Sequence, residues 1–199
     1  MALLTQFRAA PNLLTLLRLF IIPFLVINIL DARWRIAFAL VMLAGISDGL
    51  DGLVARLWHQ HTKLGLYLDP IADKLLLSTL FLVLTHVHAI PRYVTILVFS
   101  RDLGILLIAT LLFATNTLRD FHPSPFGKIN TFVQIVAVVG IMASMVFPIP
   151  YLHFVDMLLL RMIAVLAPLS AAQYAWIVIR RVSTPIDPST MARNDDGVK

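Results

Sequence analysis

Asp48-Gly-Leu-Asp51-Gly52-Leu-Val-Ala55-Arg56, eight residues, then Gly65-Leu-Tyr-Leu-Asp69-Pro-Ile-Ala-Asp73: this stretch decides how the 199-residue chain is read. Long apolar segments flank it on both sides. Carboxylates beside hydrocarbon are expensive, and in such a setting they mark function. Four of them close together repel one another unless cations neutralise them. The run therefore points to a metal site at a membrane surface.

Composition sets the frame. Hydrophobic residues make up 59% of the chain and charged residues 14%, against about 25% charged in a typical soluble domain. That surplus is too large for one soluble core. Six apolar segments can be counted, roughly 13–30, 36–55, 66–90, 93–115, 130–149 and 154–179. Each has about 20 residues or more, enough to cross about 30 Å of hydrocarbon as a helix. In lipid the backbone must satisfy itself, which makes helices the expected form. The expected fold is an all-α membrane protein of six transmembrane helices with a short N-terminal juxtamembrane segment. Residues 1–182 form the membrane domain, and the polar, proline-bearing stretch 183–199 is expected to be a mobile tail. Met1 to Asn12 is too polar for the core of a cleavable signal peptide.

Cysteine is absent, which excludes disulfides and thiolate metal sites and leaves oxygen ligands as the main option. The net charge of +5 is carried by short loops and the C-terminal end, a distribution suited to anionic headgroups and not to nucleic acid. Arg8, Arg56, Lys63, Arg119, Lys128, Arg180 and Arg181 fall on one side of the expected bundle, and Arg33, Arg35 and Arg92 on the other. That imbalance puts both termini and the aspartate loop on the cytoplasmic side.

Helical spacing gives the aspartates a geometry. At 100° per residue, Asp48, Asp51, Gly52 and Ala55 share one face of a helix, and Gly65, Asp69 and Asp73 share one face of the next. The four carboxylates are expected to converge near the ends of two adjacent helices. Mg²⁺ or Mn²⁺ takes such ligands, often completed by phosphates. Gly52, Ala55 and Gly65 keep the faces free of bulk, and Arg56 offers a fixed positive charge for a phosphate. Taken singly, any one aspartate could cap a helix or pair with Arg56, Lys63 or Lys74. The small residues could equally serve close helix packing. Four carboxylates with glycines one turn away are not explained that way.

The run resembles the signature of the CDP-alcohol phosphatidyltransferases, Asp-x2-Asp-Gly-x2-Ala-Arg-x8-Gly-x3-Asp-x3-Asp, with every fixed position present from Asp48 to Asp73. The six-segment layout is similar to that family over nearly the whole chain. The resemblance implies transfer of a phosphatidyl-type group from a CDP-linked donor to an alcohol, with release of CMP. It implies two divalent cations, Mg²⁺ or Mn²⁺, held by Asp48, Asp51, Asp69 and Asp73. Asp73 would also be the general base, and Gly52, Ala55, Arg56 and Gly65 would hold the CDP moiety. A homodimer in a bacterial inner membrane is the expected setting, with CDP-diacylglycerol, a glycerol-type acceptor and membrane lipids as partners.

Three further segments bear on the acceptor. Asn12-Leu-Leu-Thr15-Leu-Leu-Arg18 resembles the opening of the glycerophospholipid branch. The alternative is a helix cap at Asn12 or Thr15 followed by a snorkelling Arg18. Ser100-Arg101-Asp102 lies inside the fourth apolar segment, where it faces a polar cavity or pairs with another helix. Phe126-Gly127-Lys128-Ile129-Asn130-Thr131 opens the fifth, where Lys128 could meet an acceptor phosphate or mark the membrane boundary. Phosphatidylglycerophosphate synthases typically read Ala-Arg-Glu and Gly-Lys-x-Lys-Thr in these places. Here Asn130 replaces the second lysine. That suits a monoanionic phosphodiester better than a dianionic phosphate. The expected acceptor is phosphatidylglycerol, as in cardiolipin synthases, with glycerol 3-phosphate as the alternative. Arg101, Lys128 and Asn130 are the candidate acceptor contacts.

Two rivals are weaker. A cation transporter would also bury carboxylates, but such proteins commonly hold ions near the midplane between internal repeats, and no repeat is visible. A membrane prenyltransferase would place its aspartate clusters on well-separated helices of a longer bundle. The six histidines lie mostly at expected loop edges and carry no argument.

Overall fold

A computed structural model describes the backbone of residues 10–58, 63–114 and 125–182, with side chains for residues 15–47, 71–107, 126–176 and 179. Six helices carry it: α1 (Ala10–Leu30), α2 (Trp34–Trp58), α3 (Lys63–His86), α4 (Arg92–Ala114), α5 (Pro125–Val146) and α6 (Pro150–Val182). The six apolar runs thus become six helices. The edges differ from the expected ones where proline opens a helix. Pro125 and Pro150 begin α5 and α6, because a proline at the first helical position gives up only an N–H that would have no partner there. Lys128, just outside the expected run 130–149, therefore lies in the opening turn of α5.

Short turns join α1 to α2, α3 to α4 and α5 to α6, so successive helices run antiparallel. These three turns mark one end of the bundle, and the backbone of the aspartate run marks the other. Helix α1 packs on α2 and α3, α3 on α4, α4 on α6, α6 on α5, and α5 back on α2. The result is a closed ring, with α3 also touching α5 across it.

The interior of the ring is divided. Toward the turn end it is mostly apolar, built from Leu25, Ile29, Val41, Phe81, Leu84, Val94, Ile141 and Met142, with Thr95 and Asp156 also buried there. From the middle toward the aspartate end it holds Thr15, Arg18, Ser47, Asn130, Gln134 and Ser170, all buried. The outside is the reverse of a soluble protein: Phe20, Ile96, Leu106, Phe132, Phe154 and Val165 are all more than half exposed. Apolar surface on this scale calls for an apolar solvent or a partner. Phe126–Val146 and Pro150–Trp176 are long and apolar enough to cross a bilayer. Thr15–Leu30 and Trp34–Ser47 are shorter apolar stretches.

Two of the turns are built alike. Arg33 N–H donates to Asn28 O at 2.8 Å and Ala32 N–H to Ile29 O at 3.1 Å. Ala89 N–H donates to Leu84 O at 2.8 Å and His88 N–H to Thr85 O at 3.1 Å. Both are Schellman caps, which place one residue in the left-handed region that glycine favours. Here Ala32 (φ 54°) and His88 (φ 61°) occupy it. A side chain there is disfavoured by about 1–2 kcal/mol, partly offset by the extra unfolded-state freedom of glycine. Ala32→Gly and His88→Gly should each raise stability by about 0.5–1 kcal/mol, read as a higher melting temperature in detergent micelles.

Helices α5 and α6 approach closely at Gly140. A Cβ at that position would stand 2.8 Å from Oδ1 of Asp156, whose side chain is buried. Gly140→Ala therefore requires the buried Asp156 carboxylate to turn or the two helices to move apart. A loss of about 1–3 kcal/mol is expected, measurable by the same thermal melt.

Candidate functional site

Helix α3 carries the centre of the site. Asp73 is half-exposed and forms an ion pair with Arg18 of α1, whose side chain is 1% exposed. The next residue, Lys74, pairs with Asp102 of α4. Arg101 holds the same carboxylate through Nη1 at 2.8 Å and donates to Ser170 Oγ of α6 from Nη2 at 3.1 Å and Nε at 3.3 Å. Charged side chains from α1, α3 and α4, and a hydroxyl from α6, are thus tied into two linked groups at mid-bundle.

The physical cause is burial. Arg101 and Asp102 show 10% and 11% of their side chains, so each charge needs a partner that compensates for lost water. An arginine beside an aspartate on one helix supplies part of this, and Lys74 and Ser170 supply the rest. Lys74, Arg101 and Asp102 form the polar edge of a groove of about 660 Å³, whose other lining includes Ile96, Phe99, Leu103 and Leu106. A groove with one charged edge and apolar walls suits an amphipathic molecule.

Arg18 does not snorkel. The alternative of a capping Asn12 or Thr15 with an outward-reaching arginine is corrected by the structure: α1 begins at Ala10, Thr15 lies a full turn inside it, and Arg18 turns inward to Asp73. For Arg101, the cavity and the ion pair both exist. Asn130 is fully buried on α5, while Lys128 is exposed. Asp48, Asp51, Gly52, Ala55 and Arg56 lie on α2, and Gly65 and Asp69 on α3, with their side chains outside the described residues. Among the described residues no three acidic, histidine or cysteine side chains gather. The convergence of four aspartates therefore rests on sequence. The part that is described fits a hard cation: Asp73 is an oxygen donor and half-exposed despite Arg18, so it is reachable by a hydrated ion.

Sequence reasoning missed Gln134 and Ser170. Gln134 is uncharged and sits in an apolar run, so hydropathy passes over it. Its i+4 spacing from Asn130 on a helix was the available signal. Ser170 is small and lies many residues from Arg101, and nothing local announces the contact.

Comparison with known proteins completes the picture. The profile of the CDP-alcohol phosphatidyltransferase family matches residues 8–179. The chain belongs to this family. It is 36% identical over 155 residues to a protein named cardiolipin synthase (CMP-forming) from Rattus norvegicus, covering 69% of this chain and 51% of that one. A probable phosphatidylglycerophosphate synthase of Mycobacterium tuberculosis is 36% identical over 134 residues, 64% of this chain and 62% of that one. A CDP-diacylglycerol–glycerol-3-phosphate 3-phosphatidyltransferase of Shigella flexneri is 33% identical over 172 residues, 82% of this chain and 91% of that one. The chain spans about half the length of the mammalian cardiolipin synthases it matches.

The charge network has a direct test. Asp102→Asn leaves Arg101 buried against a neutral group and should cost about 3 kcal/mol. Lys74→Met removes a half-exposed partner and should cost less than about 1 kcal/mol. Urea or thermal unfolding of the two variants in detergent would show the order.

Proposed function

We propose that this protein is an integral membrane enzyme that transfers the phosphatidyl group of CDP-diacylglycerol to a glycerol-type alcohol and releases CMP. The observation that carries the reading is the charged mid-bundle assembly of Arg18, Asp73, Lys74, Asp102 and Arg101 within an otherwise apolar bundle, at the end of a complete family signature. All six helices are taken to span the bilayer, with the aspartate end and both termini in the cytoplasm of a bacterial cell and the chain acting as a homodimer. Family membership and the exposed apolar faces support this setting.

In this reading Asp48, Asp51, Asp69 and Asp73 hold two divalent cations, Mg²⁺ or Mn²⁺. When bound, these supply the charge neutralisation that a pyrophosphate needs before an alcohol can approach it. Gly52, Ala55 and Gly65 leave room for the CDP moiety, and Arg56 meets a phosphate. The acceptor's hydroxyl oxygen bonds to the phosphorus that bears diacylglycerol. The bond from that phosphorus to the bridging oxygen breaks, and CMP leaves with that oxygen and its electron pair. The hydroxyl proton passes to the carboxylate of Asp73, which Arg18 holds in one orientation. Lipid tails can stay in hydrocarbon throughout, because the reacting groups meet at the polar half of the bundle.

The acceptor is taken to be phosphatidylglycerol. Asn130 leaves Lys128 as the single lysine of its segment, which suits a phosphodiester, and Arg101 borders the amphipathic groove. The alternative acceptor is glycerol 3-phosphate, favoured by the Shigella flexneri relative, which is matched over 91% of its length.

Reconstituted protein given CDP-diacylglycerol, Mg²⁺ and each acceptor separately should release CMP, with the lipid product resolved by chromatography. Silence with both acceptors would remove the reading. Asp73→Asn should lower turnover by about 100-fold or more, the scale of a lost general base, while binding of CDP-diacylglycerol persists.

A further inference from the structure

Helix α5 presents an anomaly inside the ring. Asn130 and Gln134 lie one turn apart on its buried face, each with 0% of its surface exposed. Among the described residues, neither end of either amide has a hydrogen-bond partner. The same face carries Ala137, Val138 and Ile141 further along, all part of the apolar core. An unpartnered buried amide costs about 1–3 kcal/mol, and apolar side chains would fill these positions without that penalty.

Depth and neighbourhood say what could occupy this face. Counting 1.5 Å per residue from the aspartate end, Asn130 lies about 8 Å along α5 and Gln134 about 14 Å. Asp69 and Asp73 lie about 9 and 15 Å along α3 by the same count. By this count the amides stand at depths like those of the aspartate backbone positions, on a helix that touches α3. Each amide offers two N–H donors and a carbonyl acceptor but no charge. A phosphate wants positive charge. Vicinal hydroxyls, each able to donate and accept, match a pair of neutral amides one helical turn apart.

We propose that Asn130 and Gln134 form a two-amide rung that receives the glycerol unit of the acceptor, with Gln134 reading the hydroxyl beside the attacking one. This rests on the phosphatidyl-transfer reading and adds to it a specificity-determining residue. Glycerol occurs in both candidate acceptors, so the rung recognises what they share. Discrimination between them falls to charged groups such as Lys128 and Arg101.

The test compares acceptors that differ in the middle hydroxyl alone. Phosphatidylglycerol is set against phosphatidyl-1,3-propanediol, and glycerol 3-phosphate against 3-hydroxypropyl phosphate. Both analogues keep the terminal hydroxyl that attacks. The wild-type protein in vesicles should favour the diol acceptor in kcat/KM by about 10- to 100-fold, the scale of an unmade hydrogen bond in a site built for it. Gln134→Met keeps the length of the side chain and removes the amide. It should bring the two acceptors to within about threefold, with the KM for CDP-diacylglycerol unchanged, as expected when a polar contact to one substrate is lost. Removing an unpartnered amide should not lower the melting temperature. Should Gln134→Met not fold, Gln134→Asn keeps the amide one methylene short and should show an intermediate preference. A wild-type protein that turns over both acceptors equally, or a folded variant that retains the full preference, would overturn the rung and leave phosphatidyl transfer standing. No CMP release from wild type with either diol acceptor would overturn both.

Discussion

A buried guanidinium must be met by a carboxylate, and Arg18 is met by Asp73. With 1% of its side chain exposed, Arg18 has almost no water to answer its charge, and the loss must be compensated by hydrogen bonds and an opposite charge. That requirement fixes α1 against α3. It also dictates where the polar half of the ring begins, since hydrocarbon packing cannot resume until the pair is enclosed. The second charged group, Lys74 with Asp102, Arg101 and Ser170, extends the same logic to α4 and α6. Apolar burial supplies the bulk of the cohesion at the turn end, while paired charge sets the geometry at mid-bundle.

Enclosure has a functional side. Electrostatic interactions strengthen as water is excluded, and a reaction that moves a phosphoryl group depends on positioned charge more than on covalent chemistry by the protein. In the proposed reading, a bundle that places its charges at mid-depth, with apolar walls around them, lets one site serve a water-soluble nucleotide and a lipid tail together. The groove beside Lys74 and Arg101 joins those two environments in one concave surface.

Much of the fold was legible in the sequence, for a physical reason: a long apolar run has one stable backbone form in a low-dielectric medium. Six runs therefore gave six helices, and errors gathered at edges such as Pro125 and Pro150, where local chemistry and not hydropathy decides. The aspartate run falls on two helices, α2 and α3, as its spacing led one to expect, and the side chains from Asp48 to Asp69 lie outside the described residues. The partners were not legible. Arg18 and Asp73 are 55 positions apart and Arg101 and Ser170 are 69, and no local pattern encodes which of several helices a side chain will meet. Arg18 invited a snorkelling reading because an arginine eight residues into an apolar helix resembles an anchor. Gln134 escaped notice because a neutral amide barely dents a hydropathy profile.

Consecutive residues of a helix project about 100° apart, and α3 uses two of them, Asp73 and Lys74, to reach opposite neighbours. A single clasp would let the helix roll about its own axis like a rod on a hinge pin. Two clasps at different bearings remove that freedom, because turning toward Arg18 lengthens the reach to Asp102 and turning away does the opposite. Helix α3 is thus azimuthally locked at mid-span. The bearing of every residue a turn or two nearer the aspartate end, Asp69 included, is set by that lock and not by the helix terminus, which has no comparable grip among the described residues.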